Sequence, residues 1–296
     1  MTPKMHDDQI DSDVDLVHFL LGAQFPQWAN LPIEEVQSTG TDNALFHLGS
    51  HMVVRMPLRP SATRSIEKEH MWLSRLSPHL PLETPVPIAQ GEPTPEFPWP
   101  WSVVSWIEGE DATTAEFSGH QAATDVARFL AALHSINPTG GPEPQAHVGR
   151  GVPLADRDQF TRWVINASDG LIDTDAVMTS WDEAVKVPAW NRPAVWVHGD
   201  IAAGNVLFRD GRLTAVIDWG CLAVGDPACD LIVAWEIFDR HSRDVLRSEL
   251  GVDEDTWERG RGWALSVAVA ELSYYQDTNQ FMARRARRQL AAALDV

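Results

Sequence analysis

Cysteine is nearly missing from this chain, with only Cys221 and Cys229 in 296 residues. They form no C-x-x-C pair and have no histidine cluster beside them, so a disulfide scaffold is excluded and no zinc site is indicated. Both are expected to be ordinary buried thiols. Positive charge is also scarce: 23 Lys and Arg stand against 42 Asp and Glu, for a net charge of −19. That balance repels polyanions and favours cationic small molecules in any acidic cleft, so nucleic acid is not an expected partner. Charge by itself identifies no substrate, because solubility alone accounts for it. No apolar run approaches the roughly 18 residues that a membrane span requires. The opening "MTPKMHDDQIDSDVD" is acidic where a leader would be basic and then apolar. No membrane is therefore expected as a partner, and the cytoplasm is the default location. No internal repeat is visible.

Apolar material is plentiful. Hydrophobic residues make up 44% of the chain, with 13 Trp and 10 Phe, which suits a packed globular protein. Single cores stop growing near roughly 250 to 300 residues, so two lobes are expected.

Residues 14–25, "VDLVHFLLGAQF", have helical spacing of apolar positions. The runs "IEEVQS", "NALFHLG" and "MVVRMPL" then read as three short antiparallel strands separated by turn-forming residues. A Ser-capped helix follows over 61–77, with Ile66, Met71, Leu73 and Leu76 on its apolar face. Residues 86–92 and 101–109 read as two further strands around a Pro-rich loop. From 115–136 onward the pattern turns helical, and the Pro/Gly-rich stretch 137–153 reads as a long surface loop. Later, "AVWVHGD", "NVLFRD" and "RLTAVIDW" are β-like, the last two joined by Asp210-Gly211, a strong hairpin signal. Near the C-terminus, Arg284, Arg285, Arg287 and Arg288 read as a solvated helix face.

The chemistry concentrates in "VWVHGDIAAGNVLF" (195–208), where polar residues interrupt an apolar run. His198, Asp200 and Asn205 stand in H-G-D-x-x-x-x-N, the spacing of the protein-kinase catalytic loop. In that loop an aspartate meets the attacking hydroxyl and an asparagine binds Mg2+. A β-run then delivers Asp218 into a Trp-Gly turn, "AVIDWG", as kinases deliver the metal-binding aspartate of D-F-G. Either motif alone could be a turn residue beside glycine; both, in order and at this spacing, are far more specific.

With "VHGDIAAGN", "VIDWG" and "GDPACDL", the chain resembles the aminoglycoside phosphotransferase family of antibiotic kinases, which includes macrolide phosphotransferases and is related to choline kinases. The resemblance covers most of the chain, and its specific motifs lie in 196–231. It implies an α+β, protein-kinase-like fold: a nucleotide-binding lobe over 1–106, with a small five-stranded antiparallel sheet plus helix, and a mostly helical catalytic and acceptor-binding lobe over 107–296. It further implies that Asp200 is catalytic, that Asn205 and Asp218 hold Mg2+, that His198 supports the loop, and that Asp230 braces it from the following helix. Gly40, in "QSTGTDNALFHLG", would let backbone amides approach the nucleotide phosphates. Arg55 stands where most relatives carry a strand lysine; it keeps the charge but is not interchangeable with lysine. Glu69 is its expected ion-pair partner, while Glu67 faces elsewhere on the helix. Backbone groups of Ser105 and Ile107 would meet the base of ATP or GTP. For the acceptor, a cationic small molecule, the resemblance points to the later helices, with Trp235, Glu236, Glu271, Tyr274 and Tyr275 as candidates. Aromatics at helical spacing usually pack in the core, and the two glutamates attract more notice because they interrupt apolar runs.

The expected activity is Mg-dependent transfer of the γ-phosphate of ATP or GTP to a hydroxyl of an antibiotic, an aminoglycoside or a macrolide, which would give resistance. The rivals are a housekeeping kinase of an amino alcohol or sugar, and a catalytically silent nucleotide-binding module, whose main support is Arg55.

Overall fold

In the computed structural model, residue 10 and residues 12–36, 42–146 and 149–295 are described. The chain divides into two compact units. The first runs to Pro78 and adds Glu83–Gly109 and Ala215–Gly220; the second holds His79–Leu82, Glu110–Thr214 and Cys221–Val296.

The first unit begins with α1 (Val14–Gln24), whose N-cap Asp13 accepts from Leu16 N at 2.8 Å. Strands β1 (Ile33–Val36), β2 (Asn43–Leu48) and β3 (Met52–Pro57) precede α2 (Thr63–Leu76), and β4 (Pro87–Gly91) and β5 (Trp101–Ser105) follow it. They form the expected antiparallel five-stranded sheet, in the order β1-β2-β3-β5-β4. Because side chains alternate along a strand, Val54 and Met56 join Phe46, Leu48, Trp101 and Val103 on one face. Val17, Leu20 and Leu21 of α1 cover that face. Arg55, between Val54 and Met56, must point to the other face.

Two details of α2 differ from expectation. A 3-10 turn over Pro60–Ala62 starts the element, so Ser61 does not cap it. Ile66, Leu73 and Leu76 are buried with Glu69, while Met71 is 57% exposed. The periodicity that buries Ile66 and Leu73 puts Glu69 on the inner face and leaves Met71 two positions off it.

The second unit starts with the short strand β6 (Glu110–Asp111), then α3 (Gly119–Ser135), α4 (Asp158–Ala167) and α5 (Thr174–Lys186). Strand β7 (Val195–Val197) leads into the H-G-D turn, and β8 (Val206–Arg209) and β9 (Arg212–Val216) make the expected hairpin. Its turn has positive φ at both Asp210 (51°) and Gly211 (72°), the left-handed pair that a tight hairpin requires. Strand β10 (Ala223–Gly225) pairs antiparallel with β7. Helices α6 (Ile232–Glu236), α7 (Arg240–Leu250), α8 (Glu254–Tyr275) and α9 (Gln280–Leu294) complete the unit. Most of α8 is buried, because α4, α5 and α9 all pack on it. The pairings of β6 and β10 were not foreseen, since strands of two or three residues carry no periodicity.

The stretch 137–153 is only partly a surface loop. Gly151 and Val152 are buried, and the Gly151 carbonyl accepts from Asp226 N at 2.8 Å. Of the two thiols, Cys229 is buried and Cys221 is partly exposed. No described helix is long and apolar enough to cross a membrane.

Candidate active site

In the first unit, β3 and α2 bring two ionisable groups together. Arg55 Nη1 donates to Glu69 Oε2, both residues being buried. Burial alone would lower the Arg55 pKa, but Glu69 and Asp218 outweigh it and hold the guanidinium above its ordinary value. Burial pushes the Glu69 carboxyl up against the pull of Arg55. Glu69 Oε1 is buried without a hydrogen-bond partner among the described residues. Glu67 is exposed, as its helical position predicts.

Asp218 has φ of +60°, a left-handed conformation that Asp tolerates better than most residues. Its turn is anchored by the fully buried Trp219, whose Nε1 donates to Val216 O at 3.1 Å. Lys68 Nζ from α2 donates to Gly220 O at 2.7 Å. At the end of β5, Ser105 N donates to Val86 O at 2.9 Å, so this N–H is already engaged within the protein. Ile107 is 8% exposed, just beyond the strand. Gly40 lies outside the described residues.

In the second unit, β7 ends at Val197, His198 follows, and the chain turns through Gly199, at φ of +80°. A Cβ on Gly199 would lie 2.5 Å from Arg150 Cβ, so only glycine fits. Asp230, fully buried, accepts from Gly199 N at 2.6 Å through Oδ1. Its Oδ2 accepts from His198 N at 3.3 Å and lies 3.0 Å from His134 Nε2. His198 Nδ1 in turn accepts from Asp200 N at 3.2 Å. Asn205 Nδ2 donates to Asp200 O at 2.9 Å and to Asp200 Oδ2 at 3.2 Å. With its NH2 so engaged, the Asn205 amide keeps its oxygen as a possible metal ligand. The Asp200 side chain is 36% exposed, and Arg150 Nη2 approaches its Oδ1 at 3.6 Å.

Five residues were expected at the acceptor. Glu271 and Tyr274 reach the surface, the latter 53% exposed with its ring edge-on to Tyr275. Trp235 is buried at 4% exposure with its ring 4.8 Å from Trp257. The Glu236 side chain is buried too: Oε1 accepts from Ala203 N at 2.8 Å and lies 3.5 Å from Arg285 Nε. Arg285 Nη2 also donates to Glu271, at 2.9 and 3.1 Å. The reading of four exposed arginines on α9 is therefore corrected for Arg285, because that face also carries the buried Met282, Ala286 and Gln289. Burial raises the Glu236 carboxyl to about 7; Arg285 opposes the shift, Glu271 adds to it, the Ala203 N–H opposes it and Asp200 adds to it.

Sequence reasoning missed His134, Arg150 and Arg285. The helical spacing of Arg285 with Met282 and Gln289 could have found it; nothing local marks the other two.

A sheet-and-helix unit with a buried Arg–Glu pair, and a helical unit with an Asp–Asn turn, define a phosphotransferase of kinase-like fold. The model of the "Phosphotransferase enzyme family" matches residues 35–263, and the chain belongs to that family. It is similar to an aminoglycoside 3'-phosphotransferase of Salmonella typhimurium, 27% identical over 202 residues, 65% of this chain and 72% of that protein. It is equally similar to a viomycin phosphotransferase of Streptomyces vinaceus, 27% identical over 211 residues, 68% of this chain and 74% of that one. Among solved structures, the GDP and kanamycin complex of the aminoglycoside phosphotransferase APH(2")-IIIa aligns with a TM-score of 0.73. That alignment covers 94% of this chain and 97% of the other at 16% identity.

Proposed function

We propose that this phosphotransferase moves the γ-phosphate of ATP or GTP to a hydroxyl of a cationic antibiotic, an aminoglycoside or another amine-bearing scaffold. The observation that carries this is the turn around Asp200, a part-exposed carboxylate whose backbone and side chain are both held by Asn205. Asp200 orients the acceptor hydroxyl and takes its proton as the oxygen bonds to phosphorus and the bond to the nucleoside diphosphate breaks. Asn205 Oδ1 and the Asp218 carboxylate are the hard oxygen donors that magnesium prefers, so the residues present fit that ion. Bound there, magnesium would neutralise charge on the phosphates. Arg55, positioned by Glu69, grips the nucleotide phosphates, with Gly40 beside them; the Ser105 carbonyl and Ile107 N–H meet the base. Residues 1–106 thus serve the nucleotide and 107–296 the acceptor and the chemistry. His198 and Asp230 hold the turn. Glu271 and Tyr274 supply charge and an aromatic face for the amine-bearing acceptor, while Trp235 and Glu236 act from beneath. The test is mass spectrometry of kanamycin, gentamicin, viomycin and a macrolide incubated with enzyme, Mg2+ and either ATP or GTP. A phosphate mass gain on an amine-bearing acceptor is expected; nucleotide binding with no phosphorylated product across the panel would overturn the reading.

A further inference from the structure

The turn between Asp200 and Asn205 rests on a carboxylate from a distant helix. Ala203 opens the 3-10 turn Ala203–Asn205, so its N–H has no partner within that turn. Ala203 is 8% exposed, and water is a poor substitute partner there. Glu236 Oε1, at the end of α6, accepts this N–H at 2.8 Å. Losing this bond would leave a buried donor unsatisfied. The side chain of Glu236 is 3% exposed, and it stays there through a chain of contacts: Arg285 of α9 lies against it, and Glu271 of α8 holds Arg285. Three helices thus converge on one backbone N–H. A buried ion pair of this kind usually gives little stability over a well-packed apolar substitute, so geometry at the turn is what the position gains.

We propose that Glu236 is a positioning residue for phosphoryl transfer: with Arg285 and Glu271 behind it, it fixes the Ala203 N–H and with it the turn that carries Asn205. The proposal rests on the phosphotransfer reading above. It assigns Glu236 a task beneath the reacting groups, separate from contact with the acceptor.

Two readouts on the full-length enzyme test it. Hydrogen exchange of the segment 201–206 needs no substrate, so it reads the brace even if every acceptor fails, whereas a failed acceptor panel sinks only the functional reading. Glu236→Ala should speed that exchange by about tenfold or more and leave the segment 226–232 little changed. With Mg-ATP and kanamycin, kcat should fall by roughly 10 to 100-fold while both KM values stay within about threefold. Glu236→Gln, which keeps an acceptor oxygen, should recover most of both losses. Unchanged exchange in Glu236→Ala overturns the brace, and a raised acceptor KM with kcat preserved overturns positioning in favour of acceptor contact. Should Glu236→Ala not fold, Arg285→Met tests the same chain from behind. It should give a smaller kcat loss, about threefold or more, with faster exchange in 201–206; wild-type values in both readouts overturn the proposal.

Discussion

Around Arg55 a buried ion pair with Glu69 carries the local geometry, and among the described residues one Glu69 oxygen has no hydrogen-bond partner. Around Asp200 the chain is tied from several directions: Asp230 holds two backbone amides, His198 a third, Glu236 a fourth, and Asn205 both the carbonyl and the carboxylate of Asp200. The two regions should therefore register damage differently. Where one contact holds the site, losing it should show first as stability. Where many contacts share the task, losing one should show first in the chemistry, which is sensitive to small misplacements.

Glu69→Ala should be the most costly change to the fold, because it leaves the Arg55 charge buried without its ion-pair partner. A loss of about 3 to 5 kcal/mol in denaturant unfolding is expected, and the double change Arg55→Met, Glu69→Ala should recover much of it. A loss below about 1 kcal/mol would mean that the pair is as dispensable as a surface one. Asp230→Asn should cost less, about 1.5 to 3 kcal/mol, since one carbonyl oxygen still accepts an amide while the charge is gone. Arg150→Met should leave the fold nearly intact and lower kcat by about tenfold, as Asp200 loses the cation at its Oδ1; an unaltered kcat would remove Arg150 from the account.

The smallest effect is a pH dependence at Glu236, which faces Arg285, Glu271, the Ala203 N–H and, further off, Asp200. Its folded pKa of about 7 lies above its ordinary 4.5, so the folded protein binds the proton more readily between those values. Burying it therefore costs nothing at low pH, and the cost grows as pH rises through that window and is complete above it. The unfolding free energy of Glu236→Gln minus that of wild type should shift in favour of Gln between about pH 5 and 8, by at most roughly 3 kcal/mol. A shift in the opposite direction would show that Arg285 outweighs burial.

What could be read from sequence divides along the same line. Asp200, Asn205 and Asp218 stood out because phosphoryl-transfer chemistry of the kinase kind calls for fixed residue types at fixed spacing, and the hairpin between them was legible because Asp210-Gly211 has the required backbone preference. The Arg55–Glu69 pair was legible from a strand followed by a helix whose period turns Glu69 inward and Glu67 outward. The supports were not, because they act across long sequence separations: His134 meets Asp230 from 96 residues away, and Glu236 meets Ala203 from 33. Arg150 sits in a Pro/Gly-rich stretch that carries no periodicity to aim it. Arg285 hid in an arginine run whose neighbours Arg284, Arg287 and Arg288 are indeed exposed.

Asp200 is the group proposed to meet the acceptor hydroxyl. The most direct test of that role is the rate of phosphorylated-acceptor formation by Asp200→Ala beside wild type, with Mg-ATP binding measured on both proteins. Turnover lower by roughly 10² to 10⁴ with nucleotide affinity retained is expected; wild-type turnover on the same acceptor would rule out that role for Asp200.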